Sequence, residues 1–354
     1  MSRTRPPLGP TALLTTAALL TGLTWACDSG KNGNDNLNNA QQDAAIQTDA
    51  VPQQDAEVQQ DSGTPPTGCE TLQTGSNTLM VDGLQRQFLL TLPNDAATGG
   101  PFPVVFNYHG LGDTAANMNS LFSGQVNTTD FHFILVTPED TNYTVMGMMN
   151  IDWDVLAVPV IDDNIEIKLF DAVLACLELR WGVDENAIHA VGFSMGGFLT
   201  DLIGVTRGGQ LASIATYSGG YGSNSANTST FGSLGSQVNW PAPAHTRTYP
   251  QLFMHGGPFD SYNAVVATLQ FNTFATNDTA YVNGMGHDAI ICNHDIGQYS
   301  QPGQGHTVPF GASHIEPSDV VTFFKDHPKT VVDSPYASGL PVGWPTYCSF
   351  SAGN

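Results

Sequence analysis

The segment from Gly192 to Gly197 (GFSMGG) constrains the fold of this chain more than any other. An apolar run, residues 187–191, leads directly into it, and a second, residues 198–203, directly follows. This order predicts a buried strand, a tight turn and a helix, with Ser194 at the apex of the turn. Glycine is needed on both sides because side chains two positions before or after the serine would collide in so tight a turn.

A G-x-S-x-G sequence between a strand and a helix is typical of the nucleophile elbow of an α/β-hydrolase. There the serine hydroxyl lies at a helix N-terminus, where backbone N–H groups stabilise an oxyanion. An ordinary glycine-rich turn is the alternative, since the motif arises by chance in a chain with 37 glycines. The apolar flanks favour the elbow.

Further apolar runs alternate with helical patterns across residues 75–327. Continuous apolar strands of this kind predict the α/β-hydrolase fold, with a mostly parallel central sheet covered by helices on both faces. The individual predictions include an early hairpin over 79–92 that turns at Asp82-Gly83, a strand over 131–137, and helices over 163–181, 262–274 and 317–327.

The chain is predicted to have three parts. Residues 1–27 have the arginines and the short apolar run of an export signal, and their end resembles a bacterial lipobox, so Cys27 is the predicted lipidation site. Cleavage nearby without lipidation is the alternative. Residues 28–67 are a predicted disordered linker, because Asn, Gln and Asp fill 18 of the 35 positions in 28–62. Residues 68–354 are the predicted catalytic domain.

The charge of the predicted domain limits its partners. Residues 68–354 contain 7 Lys and Arg against 25 Asp and Glu. Such a surface repels nucleic acid and anionic membranes, so a lipid on Cys27 is the one membrane contact expected. Neutral or weakly charged substrates are easier to accommodate.

Four cysteines remain in the domain: Cys69, Cys176, Cys292 and Cys348. Export permits disulfides, and four cysteines allow three full pairings between which the sequence does not choose. A Cys69–Cys348 bridge would join the ends of the domain, whereas Cys176 also fits a free, buried helix residue. No metal or cofactor is predicted, because neither the cysteines nor His287, Asp288, His294 and Asp295 have the spacing of a known metal site.

A serine nucleophile needs a histidine to take its proton and a carboxylate to orient that histidine. In this fold the acid follows the serine and the histidine comes last. Asp260 is the predicted acid, because it ends a loop that begins His-Gly directly after the apolar run 249–255. Asp288 and Asp295 are the alternatives.

Five histidines follow Asp260 in the sequence. His306 is the predicted base, because the glycines around it let the imidazole approach the elbow. His314 and then His294 are the alternatives, and His327 fits a structural role at the end of the last helix.

An oxyanion hole needs two N–H donors. The residue after the nucleophile, Met195, supplies one, and Leu111, or alternatively Gly110, supplies the other from the loop after an earlier strand. His109 is predicted to shape that loop and is a candidate substrate-binding residue. Trp153 is a second candidate, either stacking on a substrate ring or packing within its loop.

Four motifs in the expected order carry a family resemblance: residues 79–113, residues 183–197, His255-Gly256 through Asp260, and Gly305-His306-Thr307. They resemble the secreted feruloyl esterases and polyhydroxybutyrate depolymerases. The resemblance implies the Ser194–Asp260–His306 triad and an oxyanion hole from Leu111 and Met195. The chain departs from the pattern at Leu111, where the depolymerases often have cysteine, in the lengthened His255-to-Asp260 segment, and in the expanded stretch before His306.

The predicted activity is hydrolysis of a carboxylic ester through an acyl-enzyme on Ser194. The expected partner is an ester substrate, either a polymer or its fragments: feruloylated or acetylated plant-wall xylan first, and a polyester second. A serine peptidase of the same fold and a non-catalytic surface binding protein are the alternatives. The predicted location is the bacterial cell envelope or the extracellular space.

Overall fold

A computed structural model describes residues 66–354, apart from residues 129, 142, 146–148, 156–162, 233–237, 239, 244–246, 265–266, 312 and 354. All described residues belong to one compact unit, Gln54–Asn354. The predicted export signal, Cys27 and residues 28–65 of the predicted linker lie outside the described residues.

The strands are β1 (Gly75–Val81), β2 (Leu84–Thr91), β3 (Phe102–Tyr108), β4 (Asn127–Thr128), β5 (Phe131–His132), β6 (Ile134–Pro138), β7 (Tyr143–Val145), β8 (Met149–Ile151), β9 (Val183–Phe193), β10 (Ser213–Tyr217), β11 (Gln251–His255), β12 (Ser261–Ala264), β13 (Ala267–Gln270), β14 (Ala289–Asn293) and β15 (Cys348–Ser351). The α-helices are α1 (Ala115–Phe122), α2 (Ile165–Trp181), α3 (Met195–Arg207), α4 (Phe271–Asn283) and α5 (Pro317–Asp326).

Nine strands form the main sheet, in the order β1-β2-β6-β3-β9-β10-β11-β14-β15. The six strands from β6 to β14 in this order are parallel, and the outer pairings at both margins are antiparallel. The predicted α/β fold with a mostly parallel sheet is therefore confirmed. The carboxyl ends of the parallel strands meet at one edge, which is where sites form in such sheets.

Two apolar cores cover the two faces of the sheet. Helices α2, α3 and α4 contribute to one core, and α1 and α5 contribute to the other. Neighbouring residues of a strand divide between them: Val104 and Phe106 lie in the first core and Val105 lies in the second. The continuous apolar runs in the sequence follow from this two-sided burial. Among the described residues, no helix combines the length and apolarity that crossing a bilayer requires.

Three sequence predictions can be compared at the level of single elements. The hairpin turn at Asp82-Gly83 is confirmed, with both residues at positive φ (51° and 79°). The predicted strand over 131–137 is instead two strands, β5 and β6. The helix predicted over 262–274 is wrong, because β12 and β13 pair antiparallel from Ser261 to Gln270 and helix α4 begins only at Phe271.

Two disulfides join the four cysteines of the domain. Cys69 bonds to Cys176 and so ties the N-terminal segment to α2. Cys292 bonds to Cys348 and ties β14 to the last strand, where the two residues stand directly opposite each other. The predicted bridge between Cys69 and Cys348 is wrong, because the strand register brings Cys348 to Cys292 on β14. A free Cys176 is also wrong, because Cys176 bonds to Cys69.

Candidate active site

Ser194 lies between the end of β9 and the start of α3, in the sharp turn that the glycines predict. Its backbone has φ 55° and ψ −116°, a strained conformation for a residue with a side chain. A Cβ at Gly192 would collide with the Gly196 carbonyl, and a Cβ at Gly196 would collide with the Tyr108 carbonyl. The chain can therefore make this turn only with glycine at both positions.

A continuous hydrogen-bonded chain joins Ser194, His306 and Asp260. The hydroxyl oxygen of Ser194 lies 2.8 Å from His306 Nε2. On the other side of the ring, Nδ1 lies 2.8 Å from Asp260 Oδ1. The structure thus brings together the three side chains that the sequence predicts for a triad. None of the alternative residues takes a place in this chain.

The Asp260 carboxylate is fully buried and has further donors. Its Oδ2 accepts hydrogen bonds from the Ser218 hydroxyl at 2.8 Å and from the Gly256 N–H at 2.9 Å. Sequence reasoning missed Ser218. Its position directly after strand β10 and before two glycines is the signal that would have found it, because this places it at the same sheet edge as Ser194.

Two glycines bring the loops of Asp260 and His306 together. A Cβ at Gly256 would collide with the Gly305 carbonyl, and a Cβ at Gly305 would lie 3.0 Å from the Asp260 backbone nitrogen. The two backbones therefore touch directly. This close approach explains the glycine-rich sequence on which the prediction of His306 rested.

Aromatic rings surround the His306 imidazole. Phe271, at the start of α4, stacks on it with centroids 4.4 Å apart and planes 18° apart. Phe193 lies at 4.9 Å and Tyr262 at 6.2 Å. The Tyr262 side chain is 40% exposed, so it offers an aromatic surface beside the site. The packed rings fix the orientation of the imidazole.

The loop after β3 lies directly against the nucleophile. A Cβ at Gly110 would lie 3.3 Å from Ser194 Cβ. Neither the Leu111 N–H nor the Met195 N–H donates a hydrogen bond to any other residue in the described part of the chain. Both groups therefore remain available to an oxyanion, and their role stays a prediction.

The alternative bases and acids have other partners. His294 is fully buried, its Nδ1 lies 3.2 Å from the Tyr299 hydroxyl, and burial lowers its pKa to about 4. His327 Nε2 lies 2.7 Å from the Ser334 hydroxyl, consistent with its predicted structural role. Asp288 accepts from the Gly353 N–H and Asp295 from the Gly297 N–H.

Trp153 and His109, the two candidate substrate-binding residues, are both buried in this structure. Their side chains are 0% exposed, so neither ring presents a surface on which a substrate could stack. Trp153 donates its indole N–H to the His109 carbonyl at 2.9 Å, and its ring meets the Tyr108 ring edge-on. These contacts agree with loop packing, the other role predicted for Trp153. The His109 carbonyl takes part in the same packing.

The fold is that of an α/β-hydrolase, and comparison with known proteins relates the chain to esterases. Residues 101–239 match the sequence model of the phospholipase/carboxylesterase family. The chain is also 24% identical over 165 residues to feruloyl esterase D of Neurospora crassa, a match that covers 44% of this chain and 54% of that protein. The predicted resemblance to feruloyl esterases is confirmed, although the chain spans only about half the length of this relative.

Solved structures show the same fold. Native pOPH is 15% identical, with a TM-score of 0.61 over 82% of this chain and 97% of that one. Native sOPH is 17% identical, with a TM-score of 0.61 over 83% and 96%. At these identities the likeness extends to the fold alone.

Proposed function

We propose that this chain is an exported serine esterase that cleaves carboxylic esters through an acyl-enzyme. The observation that carries the proposal is the hydrogen-bonded chain from Ser194 through His306 to Asp260, with 2.8 Å at both contacts. The relation to carboxylesterases and to feruloyl esterase D supports the same reaction class.

The proposed reaction has two halves. His306 Nε2 takes the hydroxyl proton as Ser194 attacks the ester carbonyl, and it then gives that proton to the leaving alcohol. Water enters and the same nitrogen activates it to release the acid. Asp260 holds the ring in the tautomer that leaves Nε2 free to accept, and the backbone N–H groups of Leu111 and Met195 stabilise the tetrahedral oxyanion.

Feruloyl or acetyl esters of plant-wall polysaccharides are the proposed substrates, with polyesters as the second class. The sequence relation to a feruloyl esterase supports the first class. The exposed Tyr262 ring beside His306 supports it as well, because an aromatic surface favours an aromatic acyl group. The excess of acidic residues favours neutral esters over anionic ones.

Export to the cell envelope, with or without a lipid on Cys27, is part of the proposal. The N-terminal signal pattern and the acidic linker support it. The two disulfides also support it, because such bonds persist outside the reducing cytosol.

The test is hydrolysis of methyl ferulate and p-nitrophenyl acetate by the purified chain and by Ser194→Ala. We expect cleavage of both esters by the parent and a loss of about 10⁴-fold or more in the variant. Cleavage of p-nitrophenyl acetate alone would support the esterase reaction and favour acetyl esters or polyesters as the substrates. Folded protein that cleaves neither ester, or a variant as active as the parent, would refute the proposal and promote the peptidase or binding alternatives.

A further inference from the structure

A second group of histidine and carboxylate side chains lies at the carboxyl ends of β3 and β6, near the loop after β3 that contains Leu111. We call it the His109 cluster: His109, Glu139, Asp140 and Asp152. One ligand atom each from His109, Glu139 and Asp140 lies within 4.8 Å of the others. Because β3 and β6 are neighbouring parallel strands, the residues that follow them emerge side by side.

The His109 imidazole has one nitrogen that lacks a partner. The ring is 0% exposed, and Nδ1 lies 3.0 Å from the Gly110 carbonyl, to which it donates. In the neutral imidazole Nε2 then carries the lone pair, and it has no hydrogen-bond partner in the described part of the chain. A histidine that ligates a metal typically donates its other N–H to a backbone carbonyl in this way.

The carboxylate nearest to this nitrogen in the cluster belongs to Glu139. His109 Nε2 lies 3.6 Å from Glu139 Oε1, which is too long for a hydrogen bond. It is close to the separation of about 3.3 Å between two ligands of a tetrahedral ion with bonds of about 2.0–2.1 Å. The two atoms are thus spaced as ligands of one ion.

The cluster also brings carboxylates together, and His109 is the only basic side chain that the ion pairs of the described residues place beside them. Asp152 is 4% exposed, and its Oδ2 lies 3.9 Å from His109 Nδ1. None of the ion pairs found among the described residues joins a lysine or arginine to these carboxylates. Arg86 donates to the Glu139 backbone carbonyl, but its ion pair is with Glu166.

We propose that the His109 cluster binds one divalent transition-metal ion through His109 Nε2 and the carboxylates of Glu139 and Asp140, with Asp152 beside them. One imidazole nitrogen with carboxylate oxygens suits Zn²⁺ or Mn²⁺. The positive charge of the ion replaces the missing cation, and its bond to Nε2 gives the buried nitrogen its partner.

Such an ion stabilises the loop that lies against Ser194. Asp152 Oδ2 accepts from the Gly112 N–H at 2.6 Å, and Glu139 Oε2 accepts from the Ala115 N–H at 3.3 Å. The cluster therefore holds the backbone directly after Leu111 at two N–H groups. An effect of the ion on ester hydrolysis rests on the proposed function, whereas binding of the ion does not.

The test titrates Mn²⁺ into the chelator-treated full chain and follows bound ion by electron paramagnetic resonance, with Zn²⁺ measured by calorimetry. We expect one ion per chain, and binding weakened at least about tenfold in Glu139→Gln and in Asp140→Asn. Asp113→Asn is the matched control: it removes one charge from the same loop, at a half-buried residue that bonds Asn117, and binding should be unchanged.

Binding is measured on Ser194→Ala as well, where it should equal that of the parent. Stoichiometric Mn²⁺ binding without any ester hydrolysis would support the metal site and refute the proposed function. Absence of stoichiometric binding, or equal binding by the parent, Glu139→Gln and Asp140→Asn with circular dichroism showing all three folded, would overturn the metal site.

Discussion

Two histidine–carboxylate groups lie at the same sheet edge near Ser194, and they differ in how their polar atoms are paired. In the triad, Asp260 accepts from Ser218, Gly256 and His306, and both imidazole nitrogens of His306 have partners. In the His109 cluster, His109 Nε2 has no hydrogen-bond partner among the described residues, although Glu139 Oε1 lies 3.6 Å away.

The difference teaches that the same residue types give different chemistry according to the donors around them. Backbone and hydroxyl donors complete the hydrogen bonds of Asp260, so its carboxylate can orient His306 without any ion. Among the described residues, the Gly112 and Ala115 N–H groups donate to the carboxylates of Asp152 and Glu139, and no lysine or arginine pairs with these carboxylates, which favours a cation. The predictions below test this contrast.

The largest effect is expected at the acid of the triad. Asp260→Asn keeps the shape but no longer holds the His306 tautomer, so kcat should fall about 10⁴-fold. Steady-state kinetics on p-nitrophenyl acetate measure this, with Asp288→Asn, an alternative acid in the sequence, as the matched control. A fall of less than tenfold would mean that Asp260 does not orient the base.

The second largest effect is expected in the loop after β3, which lies between Ser194 and the His109 cluster. Gly110→Ala places a Cβ 2.9 Å from the Phe193 ring and 3.3 Å from Ser194 Cβ, so the loop must shift. Loss of one oxyanion donor costs about 10²–10³ in kcat, and we expect a loss of that order. Gly124→Ala is the control, because a Cβ there meets nothing within 4 Å. Equal activity of the two variants would exclude this loop from catalysis.

A smaller effect tests the buried imidazole beside the triad. Burial lowers the pKa of His294 to about 4 from an ordinary value of 6.5. The unfolded chain therefore takes up a proton that the folded chain refuses, so stability present above pH 6.5 is lost as the pH falls. By about pH 4.5 this histidine should have cost about 2 kcal/mol of unfolding free energy.

Urea unfolding of the parent and of His294→Gln, above pH 6.5 and at about pH 4.5, measures that loss. The variant should lose about 2 kcal/mol less than the parent between them. Ser120→Ala, at an exposed serine that does not titrate, is the control and should lose as much stability as the parent. If the unfolding free energy of His294→Gln falls with pH as much as that of the parent, His294 does not titrate in this range.

The smallest effect is expected from one donor to Asp260. Ser218→Ala removes one hydrogen bond and leaves those from Gly256 and His306, so kcat should fall about tenfold while KM stays constant. Ser120→Ala, at an exposed serine, is the control. An unchanged kcat in Ser218→Ala would assign Ser218 a packing role only.

Much of the fold and of the site could be predicted because local sequence specifies them. The elbow follows from glycines that the turn requires, and two-sided burial makes the parallel strands visible as apolar runs. Asp260 and His306 were found because each lies in a glycine-containing loop at the end of a strand. The geometry agrees with these predictions, although the roles of the residues await the kinetics.

The remaining features depend on contacts between distant residues. The position of Ser218 after β10 and before two glycines places it at this sheet edge, but its hydrogen bond to Asp260 depends on β10 and β11 being neighbours. The His109 cluster has no motif spacing, since His109 and Glu139 follow different strands. The helix predicted over 262–274 failed because strands β12 and β13 pair with each other within this range, and helical periodicity does not reveal such pairing.

The disulfide between Cys292 and Cys348 has a consequence for association between molecules. Strand β15 is four residues long and pairs antiparallel with β14, so it occupies the edge that β14 would otherwise expose. An uncovered edge of a flat sheet recruits strands from other chains and begins aggregation. The oxidised bond fastens the covering strand, and reduction frees it to leave. The bond thus helps to keep β15, and not a strand from another copy, paired with β14.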